Sequence, residues 1–307
     1  MQRYQALVPL ICVTTYFLVA MAAFTLRTFR HGLPVDREVL GRSASPILGR
    51  YLRHYIMWVL APYERTLVRF KVSPNALTMA SLATATASAV SLAYGWFGAG
   101  GWLYLLTGIL DIVDGRVARA TNRVSKGGAF FDSVIDRYAE LAVFAGLTFY
   151  YRSTWVLGLV LLASAGSMMV SYVRARGEAL GVDVKVGTMQ RPERLFYLGA
   201  LVAHSPLYEA IWPTAGDRPM FAPAVFALLM LGISANLTAV RRIQHTLRLL
   251  DAQAASPIAN DAAITPTLPV TAEPAAAASA AVRPRVAPAA SPAPMGRRLL
   301  ALLRPVG

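Results

Sequence analysis

An all-α integral membrane protein, with a six-helix core and one extra N-terminal transmembrane helix, is the fold class this sequence predicts. Three observations predict it. Of the 307 residues, 56% are hydrophobic and only 15% charged, where an ordinary soluble domain carries about a quarter charged residues. The apolar residues are gathered into runs long enough to cross a bilayer, which takes about 20 mostly apolar residues per helix. The remaining charge is one-sided, with a formal net charge of +14, and its lysines and arginines sit in alternate connections between the runs.

So large a positive balance on a small polar minority asks for an anionic partner, either nucleic acid or the acidic face of a membrane. With seven apolar runs the partner is membrane lipid, and nucleic acid is not expected. Cys12 is the only cysteine, so an internal disulfide and a thiolate metal cluster are both excluded. The four histidines, His31, His54, His204 and His245, show no ligand-like spacing. Any metal must therefore be held by oxygen.

The first run, LVPLICVTTYFLVAMAAFTL (7–26), ends in a cleavage-like Ala20-Met21-Ala22 triplet, but Arg27 and Arg30 follow at once as stop-transfer flanks. It reads as a retained anchor over 1–26 rather than a removed signal. Residues 27–72 form a basic linker on the cytoplasmic side. Within it, YLRHYIMWVLAPYERTLVRF (51–70) mixes aromatic and aliphatic residues with arginines, as a helix lying in the membrane interface does; a plain basic linker is the alternative. From 73 to 249 the sequence predicts six spans, at 74–97, 99–121, 128–151, 154–177, 191–213 and 220–247. Beyond them, 250–307 turns to Ala, Pro, Thr and Ser and predicts a disordered cytoplasmic tail. The segments 27–73, 122–127 and 174–194 are basic, while the opposite connections hold only Arg152 and Arg218. That bias puts the N-terminus outside and the tail in the cytoplasm.

The chemistry concentrates in GILDIVDGRVARATNRVSKGGAFFDSVIDRYAE (108–140). Charged groups within apolar helices cost roughly 2.5–3.5 kcal/mol each on insertion scales unless something pairs with them. At about 100° per residue, Asp111, Asp114, Gly115 and Ala118 share one face, with Arg119 at its border. On the next run Gly128, Asp132 and Asp136 recur every fourth residue, again on one face. A short connection makes the two helices antiparallel neighbours, and the small residues let their backbones approach. Facing carboxylates repel unless a divalent cation sits between them, and hard oxygen ligands select Mg²⁺ or Mn²⁺. Two such ions would also stabilise displacement at phosphorus. The competing reading pairs the aspartates with Arg116, Arg119, Arg123 and Arg137.

The pattern Asp111-x-x-Asp114-Gly115-x-x-Ala118-Arg119, eight residues, then Gly128-x-x-x-Asp132-x-x-x-Asp136 resembles the signature of the CDP-alcohol phosphatidyltransferases at every fixed position. The resemblance spans roughly 73–249 and implies a six-helix core, a metal pair and CDP-diacylglycerol as donor. It implies that Asp111, Asp114, Asp132 and Asp136 form the metal site and that Asp136, which completes it, is also the general base. It also places Gly115, Ala118, Arg119 and Gly128, together with Asp111 and Asp114, around the cytidine diphosphate. SPNALT (73–78) resembles the opening of the first core helix, where Asn75 and Thr78 either cap the helix or contact the nucleotide. The family commonly dimerises, so a homodimer is an expectation. The cytoplasmic (inner) cell membrane is the expected location, with the site facing the cytoplasm.

The acceptor is read from SYVRARGEALGVDVKVGTMQRPERL (171–195) and the end of the last span. Clustered guanidinium groups suit an anionic, bidentate ligand such as phosphate. SYxxARxE followed by RPERL resembles the bacterial phosphatidylinositol phosphate synthases and their archaeal relatives. There a lysine and two arginines hold the acceptor phosphate, and those positions fall on Arg174, Arg194 and Arg242, with arginine in the lysine's place. The resemblance implies transfer of a phosphatidyl group to a phosphorylated polyol, inositol phosphate first. Glycerol-3-phosphate, giving phosphatidylglycerophosphate, is the second acceptor, and a non-catalytic transporter or assembly protein is the reading from another class.

Overall fold

A computed structural model describes residues 2–33, 50–184, 186–187, 189–214 and 218–254. Among them the secondary structure is entirely helical: α1 (Gln2–His31), α2 (Arg50–Arg69), α3 (Pro74–Ala93), α4 (Phe97–Ala120), α5 (Lys126–Tyr151), α6 (Val156–Ala179), α7 (Arg191–Ile211) and α8 (Ala222–Ala254). Each of the seven predicted spans is matched by one helix, and the predicted interfacial segment by α2. The expected tail is helical as far as Ala254; its remainder, 255–307, lies outside the described residues, as does Lys185 of the basic cluster.

Four helices are long and apolar enough to cross a membrane on length and composition: α1, α3, α6 and α8. The other three core helices, α4, α5 and α7, are the ones that carry the aspartates and their arginines.

The starts and stops follow local chemistry. Ser73, extended, accepts from the amide of Ala76 at 3.3 Å, and Pro74 opens α3 where its missing N–H costs nothing. The cap is thus Ser73 and neither Asn75 nor Thr78. Ser125 caps α5 in the same way through the amide of Gly128 at 3.0 Å. Between α4 and α5 the chain reverses through Asn122 at φ 53°, a left-handed conformation that asparagine tolerates.

In the core, α3 packs on α4 and α5, α6 on α8, and α7 on α4 and α8. Two glycines permit the closest approaches. A Cβ on Gly146 of α5 would stand 2.3 Å from the carbonyl oxygen of Ala89 on α3, and one on Gly101 of α4 would stand 2.2 Å from the amide of Ala203 on α7. At the end of the bundle away from the aspartates, Phe97 stacks on Phe221 at 4.0 Å, and Tyr150 and Tyr151 donate to the carbonyls of Pro219 and Met220. This end is closed by aromatic packing.

Helix α2 fills the angle between α1 and α4. Tyr55 and Val59 pack on Phe24 of α1, while Ile56 and Leu60 pack against Val113 and Val117 of α4. Tyr55 donates to the carbonyl of Phe17 at 2.7 Å, and Arg116 of α4 meets Glu64 at 2.5 Å.

Candidate active site

Asp111 and Asp114 of α4 and Asp132 of α5 come together as helical spacing predicts. Among the described residues, however, the expected close approach of the two backbones is not found: each helix packs on α3 rather than on the other, and Gly115 and Gly128 face only Arg119 and Ser125 of their own segments. One ligand atom from each of Asp111, Asp114 and Asp132 can be chosen so that all lie within 4.8 Å of one another. Asp114 is buried and accepts from Thr78 of α3 at 2.6 Å. Thr78 therefore acts here by orienting a carboxylate. One oxygen of Asp132 is buried and has no hydrogen-bond partner among the described residues. An all-oxygen set with a buried anionic atom left over fits a hard divalent cation of the Mg²⁺ or Mn²⁺ kind. It fits poorly with the competing reading, which would have paired every aspartate with arginine.

Asp136 is not one of that trio but lies directly beside Asp111. Arg191, the first residue of α7, places one nitrogen 2.7 Å from Asp111 and the other 2.6 Å from Asp136. The contact to Asp136 is an ion pair without hydrogen-bond alignment, for the same oxygen has no hydrogen-bond partner. Arg191 belongs to the basic cluster read from the sequence, but its place between two signature aspartates was not foreseen.

The remaining signature residues do what small or mobile groups can do. Gly115 gives room to Arg119, whose guanidinium nitrogen would lie 3.3 Å from a Cβ there. Arg119 is exposed at the end of α4, Ala118 is half-buried, and Gly128 lies in the first turn of α5 behind its cap. Asn75 is exposed in the first turn of α3.

The three arginines expected to hold the acceptor phosphate are not alike. Arg174 is exposed and pairs with Glu178 at 2.8 Å. Arg194 is 1% exposed and pairs with Glu140. Arg242 is buried and donates to the carbonyls of Val186 and Val170, both at 2.8 Å. All three nevertheless converge on one stretch of α6: Arg242 reaches Val170, Arg194 lies 3.5 Å from the hydroxyl of Ser171, and Arg174 follows one turn on.

Residues 71–231 match the family model described as CDP-alcohol phosphatidyltransferase, a little over half of the chain. The chain belongs to the CDP-alcohol phosphatidyltransferase family. It is accordingly a transferase of phospholipid synthesis and a multi-pass membrane protein. It is 36% identical over 175 residues to the phosphatidylinositol phosphate synthase of Streptomyces avermitilis, covering 53% of this chain and 71% of that one. Its fold is similar to that of the phosphatidylinositol phosphate synthase of Mycobacterium tuberculosis, solved with CDP-DAG bound, with a TM-score of 0.52 and 26% identity over 60% of this chain and 92% of that one. The same enzyme in complex with manganese and citrate gives a TM-score of 0.53, with 25% identity over 61% and 88% of the two chains. The region matched by the family model, 71–231, lies beyond α1 and α2.

Proposed function

We propose that this family member transfers the phosphatidyl group of CDP-diacylglycerol to inositol phosphate, giving phosphatidylinositol phosphate and CMP. The carrying observation is the carboxylate trio within 4.8 Å inside a complete family signature. The acceptor is supported by the names of the relatives, which are phosphatidylinositol phosphate synthases at 36% and 26% identity. Glycerol-3-phosphate gains no comparable support.

Asp111, Asp114 and Asp132 would hold Mg²⁺ or Mn²⁺, two ions by the family's pattern. These would screen the pyrophosphate and the departing CMP when bound. Thr78 fixes the Asp114 carboxylate toward that centre, and Arg119, beside Gly115 at the end of α4, faces the nucleotide. Asp136 takes the proton of the acceptor hydroxyl as its oxygen bonds to the lipid-linked phosphorus and the bond to CMP breaks. Arg191 moves from its carboxylates to the incoming anion. Arg174 meets the acceptor phosphate directly, while Arg194, held by Glu140, and Arg242, held by backbone carbonyls, are fixed behind it. Orientation and charge stabilisation supply most of the acceleration.

The basic connections support a site that faces the cytoplasm from the inner membrane, with α1 crossing in the outward-to-inward sense; a reporter fused after Asp251 should read cytoplasmic and one ahead of Met1 external. A homodimer is proposed on family precedent. The deciding experiment is CMP release by purified protein from CDP-diacylglycerol with Mg²⁺ or Mn²⁺ and a panel of acceptors. Preference for unphosphorylated inositol, serine or glycerol-3-phosphate would overturn the acceptor assignment.

A further inference from the structure

Glu140 lies one turn beyond Asp136 on α5, outside the family signature, and is 4% exposed in the middle of the bundle. A carboxylate there is costly unless every oxygen is paired. Its pairing joins three helices. Ser167 of α6 donates to one oxygen at 2.6 Å, and Arg194 of α7 brings Nε to the same oxygen at 3.1 Å and Nη2 to the other at 3.3 Å. The third guanidinium nitrogen points to the carbonyl of Met189 at 3.4 Å, just ahead of α7. Both charged groups are thus spent inside the protein.

The position of this pair gives it a use. Asp136 and Glu140 are four residues apart on α5, and Arg191 and Arg194 three apart on α7. The helices are therefore joined by two rungs, one at the carboxylate centre and one a turn deeper. Only the deeper rung also grips the approach to α7.

We infer that Glu140 is a positioning residue for the acceptor half of the site. Through Arg194 it fixes the start of α7, and so the place where Arg191 stands over Asp111 and Asp136. This rests on the proposed transfer reaction for its kinetic consequence but not for its structural one. A carboxylate at 140 accepts from both nitrogens of one guanidinium edge and from a hydroxyl at once, which an amide cannot do.

Two variants test it in the full-length protein. Glu140→Gln should speed backbone hydrogen exchange over residues 186–194 while leaving α3 unchanged. It should raise the acceptor KM on the order of tenfold and move the CDP-diacylglycerol KM by less than about twofold. Ser167→Ala, a mild change, should do the same to a smaller extent. Unchanged exchange over 186–194 in both variants overturns the inference, whatever the activity. Equal shifts in the two KM values also overturn it, because a purely structural role would not single out the acceptor. If the wild type fails to transfer to inositol phosphate, the functional reading fails, and the exchange measurement still decides the role of Glu140.

Discussion

Asp136 and Glu140 stand one turn apart on α5 and each faces an arginine of α7, yet the two pairs are built in opposite ways. At the Asp136 pair the side chains are 23% and 10% exposed, and Arg191 divides itself between two carboxylates. At the Glu140 pair they are 1% and 5% exposed, and the guanidinium is matched edge to edge. The first is a charge arrangement that an entering ion or anion can replace. The second is already engaged on every side: both Glu140 oxygens and all three Arg194 nitrogens have protein partners. A site that must take up and release charged molecules inside a membrane needs both kinds, because the replaceable charges must be aimed by permanent ones.

The largest expected effect lies on the open side. Asp111→Asn and Asp132→Asn should each lower turnover by about 10³-fold or more, with expression retained, since several kcal/mol of charge stabilisation is removed. Chelation should abolish CMP release and Mg²⁺ or Mn²⁺ restore it; full activity in excess chelator would remove the reason for calling this side exchangeable.

Stability should divide the two pairs next. Arg194→Met leaves a buried carboxylate alone and should cost about 3–5 kcal/mol. Arg191→Met, in the presence of Mg²⁺, should cost about 1 kcal/mol or less. Thermal unfolding in detergent reads both, and equal losses would erase the distinction.

Arg174→Ala should raise the acceptor KM roughly tenfold, the loss of one charge-assisted hydrogen bond. Arg174→Lys should be milder if charge alone matters there. The smallest effect belongs to Thr78→Ala, which frees the Asp114 carboxylate without removing it. A net hydrogen bond of about 1 kcal/mol predicts a loss of about fivefold in kcat. No change would mean that Asp114 is oriented by its burial.

The open side was largely legible in the sequence and the sealed side was not. Asp111, Asp114, Asp132 and Asp136 are set by spacing along two helices with a short connection, so local geometry alone predicts that they meet. Arg191 reaches Asp111 across 80 residues and Arg194 reaches Glu140 across 54. Such pairings depend on the rotation of α7 against α5, which no local pattern encodes. One signal was present: Asp132, Asp136 and Glu140 recur every fourth residue, and the series was read one step short. The basic cluster was read as a single pool, whereas burial separates Arg174 from Arg194 and Arg242. Asn75 and Thr78 read from the sequence as either helix caps or nucleotide contacts, although Ser73 directly before Pro74 carries the stronger capping signal.

The contact between Glu64 and Arg116 bears on where this chain can be cut. The family match opens at residue 71, so a shortened protein beginning there would look whole by resemblance. It would lack the carboxylate 2.5 Å from Arg116, which sits directly after Gly115 on the helix that carries Asp111 and Asp114. It would also lose Ile56 and Leu60 from the surface of Val113 and Val117. The damage from such a trim would land two residues from a candidate metal ligand rather than at the new terminus, and the shortest fragment worth purifying for assay starts no later than Arg50.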